Sequence, residues 1–200
     1  MWCVVTIDQI DSRNQPDGVG ALLVDLRALP TVRAFERTVG DELQGLFDDP
    51  QAVAELLERL LRSGGWHIGL GFGEVDQPVP DSVRAGRGAA FLRAREAVTA
   101  AKSSPWHLRV LGPEGDPRPR RLESVAWLWA ALLDRRTTKG WQVADLVAGG
   151  MSYEETARAL GVTPSAISQR AASAGLAEGR RARELVSDLS SELLQKEDSR

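Results

Sequence analysis

Two groups of residues in this chain have the types and spacing that chemistry needs. The first is acidic. Asp8 ends an apolar run at residues 2–7, and Asp41 and Glu42 follow Gly40 in a hairpin-turn signal. Carboxylates gathered at a sheet edge suit a hard cation such as Mg²⁺, which can in turn hold phosphates. The plainer alternative is that Asp8 caps a loop and Asp41 fills a turn position it favours, and on local pattern alone that alternative is preferred. The second group lies in residues 151–170, MSYEETARALGVTPSAISQR. Ser152 with Glu155 spells a capping box, Gly161 marks a helix stop, and Thr163-Pro164 opens another helix. Ala157 and Leu160 on the first helix and Ala166 and Ile167 on the second are spaced to pack together.

That arrangement is the helix-turn-helix pattern, whose second helix enters the major groove of double-stranded DNA. Thr163, Ser165 and Arg170 would position on phosphates, while Ala166, Ser168 and Gln169 would reach base edges. Gln169 to adenine is a natural bidentate pair. An ordinary helical hairpin, or one that binds protein, is the alternative.

Composition limits how DNA could be held. The 200 residues carry a net charge of −3, so the chain as a whole is no basic nucleic-acid coat. Any contact must come from a local patch, which Arg135, Arg136, Lys139, Arg158, Arg170, Arg180, Arg181 and Arg183 would supply. Cys3 is the only cysteine, so no internal disulfide can form. The first apolar run meets Asp8 at once, unlike a signal peptide, and no run is long enough to span a bilayer. A cytoplasmic protein with no membrane partner is expected.

The elements that must position these residues follow from periodicity. Strands are expected at residues 2–7, 31–38, 42–47, 66–75 and 106–111, and helices at 19–29, from 49–50 to the glycines at 64–65, and at 89–102. The strand at 66–75 is unusual, because Ile68, Leu70 and Phe72 face one side and Gly69, Gly71 and Gly73 the other. Something must pack very close to that glycine face, and a helix backbone is preferred to a ligand. Residues 112–120 read as a linker, and helices follow at 122–133, 140–147, the hairpin pair and 182–194. The β-α-β-β-α-β order of the first half is that of the split-βαβ, ferredoxin-like sheet. In it the end of the first strand lies beside the turn joining the second and third, which brings Asp8 to Asp41. The expected fold class is therefore α+β, with a ferredoxin-like palm domain at 1–118 followed by an all-α helix-turn-helix domain at 121–200.

The segments TIDQIDSR, VGDELQG, WHIGLGFGEV and GAAFLRAREAV, followed by the helical pair, resemble the SatD family of bacterial proteins. More remotely they resemble the palms of GGDEF-type and class III nucleotidyl cyclases. That resemblance implies that Asp8 and Asp41 hold divalent metal, that Gly40 lets a nucleotide approach, and that Arg93 and Arg95 contact phosphates. Val39 and Leu43 depart from the GGDEF pattern. No catalytic set can be assigned, and His67 and His107 are read as structural.

The leading expectation is a homodimeric DNA-binding transcriptional regulator whose palm senses a nucleotide or other ligand. The terminal amphipathic helix is either a dimer surface or folded back on its own chain. The alternative is a metal-dependent nucleotidyl transferase or cyclase with an attached DNA-binding part.

Overall fold

The apolar run that ends at Asp8 forms β1 (Trp2–Gln9), in the middle of a five-stranded mixed sheet. The computed structural model describes residues 1–195. Residues 196–200, the end of the expected helical domain, lie outside the described residues. The other strands are β2 (Arg33–Arg37), β3 (Leu43–Phe47), β4 (Trp66–Gly73) and β5 (Leu108–Leu111), in the order β2-β3-β1-β4-β5. β1 runs antiparallel to β3 and to β4, and β5 joins β4 in parallel. At the β5 edge the Val110 N–H donates to Glu123 Oε2 at 2.9 Å, so this buried amide is paired by a side chain instead of another strand.

Residues directly opposite on paired strands share a face. Cys3, Val5 and Ile7 therefore lie with Phe72, Leu70 and Ile68, and with Phe47 and Leu43. This face carries the main core. Against it pack α1 (Val19–Leu26) and α2 (Pro50–Ser63), joined by α4 (Arg118–Asp134) and α8 (Leu176–Leu194). α2 is opened by Asp49, whose side chain accepts from the Gln51 N–H at 2.9 Å, with Pro50 at the start of the helix. The core does not stop at residue 118: Leu122, Trp129, Val186 and Leu193 share it with the strands. α8 lies on both α2 and α4, so the apolar face of the terminal helix is used on its own chain.

The opposite face carries Val4 and Thr6 with Gly71 and Gly69. There α3 (Ala89–Ala101) lies with its backbone directly on the glycines. A Cβ on Gly69 would stand 2.2 Å from Val98 N, and one on Gly71 2.3 Å from Ala90 O. A helix backbone, not a ligand, therefore occupies the glycine face. Ala90, Ala94, Ala97 and Ala101 keep α3 thin enough to approach.

α5 (Thr138–Ala148), α6 (Tyr153–Leu160) and α7 (Pro164–Ser173) build a smaller cluster around Val143, Ala157, Ile167 and Ala171. Arg62, near the end of α2, ties α5 to the sheet side by a bidentate pair with Asp145 at 2.6 and 2.8 Å. α4 starts at Arg118, inside the expected linker 112–120, and two other boundaries differ from expectation for local reasons. β5 starts at Leu108 instead of Trp106, because Trp106 and His107 take left-handed backbone at φ 57° and 50°. α8 begins at Leu176, directly after Gly175 turns the chain at φ 60°.

Candidate functional site

The strand register carries the first site. Asp8 stands opposite His67 in β4, and Asp41 lies in the β2–β3 turn beside the same sheet end. Asp8 and Asp41 line one cavity of about 360 Å³ together with Asp11, Ser12, His67 and Lys102. The two aspartates proposed from sequence are thus brought together. Lys102, just past the end of α3, puts its Nζ 2.7 Å from Asp8 Oδ2.

Electrostatic tension is concentrated here. Burial works against the Asp41 carboxylate, but Ser12, its own backbone N–H, Asp8 and the Gln9 N–H outweigh it and hold its pKa below the ordinary aspartate value. None of these groups closes a hydrogen bond on Oδ2, which is buried and unpartnered. Burial, reinforced by His107, lowers the pKa of His67 and so favours its neutral imidazole. The two rings meet edge-on with centroids 4.9 Å apart, and His67 Nδ1 is also buried without a partner. Unpartnered buried atoms and two successive left-handed non-glycine residues at one sheet end mark a place where stability has not been maximised.

Two carboxylates are the number with which Mg²⁺ settles when waters and a substrate's phosphates complete its shell. Among the described residues no group of three or more His, Cys, Asp or Glu side chains is arranged to hold a metal. With Lys102 already on Asp8, the donor set fits Mg²⁺ arriving with a phosphate better than a cation caged by protein alone.

The remaining residues assigned by resemblance separate. Gly40 lies next to Asp41, with φ 61° and open space where a Cβ would be, so the turn's conformation explains the glycine. Arg93 is elsewhere. Its Nη1 donates to Phe72 O at 2.8 Å, and Phe72 pairs with Cys3, five positions along β1 from Asp8. That is about 17 Å at the rise of an extended strand. α3 starts at the far end of β4, so only its C-terminal end, with Lys102, reaches the carboxylates. Arg95 is exposed on the same helix. Sequence reading missed Lys102, Ser12 and the role of His67. The β1–β4 register was the signal that could have found His67.

The second site is local. Ser152 Oγ accepts from the Glu155 N–H at 3.2 Å, and Glu155 Oε2 accepts from the Ser152 N–H at 2.8 Å, which completes the capping box. Hydrogen bonds from Ser152 hold the Glu155 pKa below its ordinary value. Gly161 turns the chain at φ 63°, and Thr163 Oγ1 accepts from the Ala166 N–H at 3.2 Å to start α7. Ile167 and Ala171 face inward, while Thr163, Ser165, Ser168 and Gln169 are exposed and Ala166 and Arg170 half-buried. Ser168 Oγ is turned back to Pro164 O at 3.2 Å.

The basic residues around this pair divide. Arg136 is buried and Arg183 is held by Glu58 at 3.1 Å and Glu55 at 3.5 Å, so neither is an exposed charge and both are withdrawn from the expected patch. Arg135, Lys139, Arg158, Arg180 and Arg181 are exposed. Among the described residues no helix is long and apolar enough to cross a membrane. No family model, curated protein or solved structure matches the chain.

Proposed function

We propose that the protein is a DNA-binding transcriptional regulator, with α6 and α7 as a helix-turn-helix and α7 as its recognition helix. The observation that carries this reading is the α6–turn–α7 unit itself. Both caps are formed, the turn glycine is left-handed, and a sealed apolar contact leaves a polar α7 face in solvent. Such a face, with exposed Arg158 on α6 and exposed Arg135 beside the C-terminal end of α7, is of the kind a major groove and its phosphates require. In this reading Thr163, Ser165 and Arg170 position on phosphates, and Ala166, Ser168 and Gln169 read bases. Residues to about 118 form a ferredoxin-like palm that senses a ligand, in keeping with the strand order and with the SatD-family resemblance. A homodimer reading paired half-sites in the cytoplasm completes the proposal.

The test is selection of genomic DNA fragments by the full chain at two salt concentrations. Wild type should enrich a short motif. Gln169→Ala should cost about 1–3 kcal/mol on that motif and relax one base position, and Arg170→Ala should weaken all sites evenly. No enriched motif would end the regulator reading.

A second reading is favoured by the buried, unpartnered Asp41 Oδ2 beside Asp8. There the sheet end is a nucleotide site. Asp8 and Asp41 would hold Mg²⁺, which supplies charge neutralisation for a triphosphate, while Lys102 would leave Asp8 to meet a phosphate oxygen. Mg²⁺-dependent binding of a nucleoside triphosphate that is lost in Asp8→Asn, with DNA binding intact, is the expected result. Equal triphosphate binding by wild type and variant would sink it.

A further inference from the structure

A second cavity, of about 420 Å³, lies between α2, α5, α6 and α8. Its volume is in the range of small-molecule pockets. Its lining is apolar at Ala144, Val147 and Leu176 and charged at Arg136, Arg180 and the Glu58–Arg183 pair.

Arg136 is the unusual member. The residue is only 8% exposed, which is rare for an arginine. Its Nε donates to Ala174 O at 3.0 Å, and its guanidinium stacks on Trp141 at 4.3 Å. Its two terminal nitrogens have no acceptor among the described residues. The neighbouring carboxylates are already engaged, Glu58 by Arg183 and Asp145 by Arg62. Burial lowers the Arg136 pKa from the ordinary arginine value, as expected for a cation whose counter-charge is incomplete. α8 makes room for this group with Gly179, at the end of its first turn. A Cβ on Gly179 would stand 2.7 Å from Arg136 Nη2. Glycine is a poorer helix former than alanine, so the guanidinium's space is kept against local propensity.

We propose that this cavity binds a small organic anion, its acidic head on Arg136 and Arg180 and its apolar body against Ala144, Val147 and Leu176. The pocket joins helices packed on the sheet, α2 and α8, to α5 and α6, so occupancy would bias how the α6–α7 pair is held. That sensing role rests on the DNA-binding reading; the site itself does not.

Calorimetry on the full chain tests the site with two probes of one shape, naphthalene-1-sulfonate and the neutral 1-naphthalenemethanol. The sulfonate should bind at least about tenfold tighter, as a charge-assisted contact to a guanidinium requires. Arg180→Ala should weaken the sulfonate alone. Ala148→Trp, at an exposed position on the rim, should abolish binding of both while the thermal midpoint stays near wild type. No sulfonate binding, equal affinity for the two probes, or binding that survives a folded Ala148→Trp protein would each overturn the site. DNA affinity is then measured with and without saturating sulfonate. A change of several-fold supports the sensing role, and an unchanged affinity with the probe bound overturns it. Absence of any DNA binding would instead remove the regulator reading, leaving the calorimetric result to decide the site.

Discussion

The α6–α7 pair and the Asp8 end of the sheet are built on opposite terms. The pair is written in one short stretch of sequence, and each of its polar termini is closed by a neighbour a few residues away. The sheet end gathers Asp8, Asp41, His67, Lys102 and His107 from five separate elements or turns, and it leaves Asp41 Oδ2 and His67 Nδ1 unpaired. Locally coded structure closes its helix ends with near neighbours, and its one orphaned buried atom among the described residues, Thr156 Oγ1, lies inside α6 and away from the caps. A composite site holds its tension only because the sheet and α3 fix its parts in place.

The largest effect that could break this contrast comes from the scaffold beneath the composite site. Gly71→Val drives a side chain into the α3 backbone and should destabilise the protein by about 3 kcal/mol or more, read as a lower urea midpoint. An unchanged midpoint would mean that α3 does not hold the sheet end. Next come the caps. Ser152→Ala and Thr163→Ala should each cost about 1 kcal/mol, seen as faster amide exchange within α6 and α7 and not in β1 or β4. Spread of that effect to the strands would erase the distinction between the two regions.

The smallest effect is a pH limb. The native pKa of His67 is below its unfolded value, so below about pH 6.5 the unfolded chain takes up a proton that the native site resists. Stability should therefore fall as pH drops from 7.5 to 5.5, and His67→Phe should flatten that limb. Asp8, Asp41, Lys102 and His107 face the same imidazole. Asp41, whose native pKa is lowered, gives up its contribution only as pH falls below the ordinary carboxylate range, so the two limbs are separable. Urea midpoints across that pH series check the assignment.

Those same contrasts explain what could be read in advance. The capping box, Gly161 and Thr163-Pro164 were legible because their partners sit within a helical turn. The glycine face of β4 was legible because alternation is a property of a single strand. Asp8 and Asp41 could be joined only through a guess at strand order, which the β1–β3 pairing bears out. Arg93 and Arg95 were misplaced relative to the carboxylates because proximity to a strand does not say which end of it a helix side chain overlies. Arg136 and Arg183 looked like surface charge, and nothing in their neighbourhood announced Trp141, Glu55 or Glu58 as partners. The left-handed Trp106-His107 step was hard to read because a bulky Trp rarely takes positive φ, although His does so more often than most residues.

The seat of α8 has a consequence for biosynthesis. Its residues Val186, Leu189 and Leu193 close the apolar face formed by α2 and α4. During translation that face is complete on one side long before α8 leaves the ribosome. The nascent chain must therefore carry an open hydrophobic groove while residues 135–175 and then α8 itself are made. Such an interval is the kind in which chaperones bind and stalled or truncated chains aggregate.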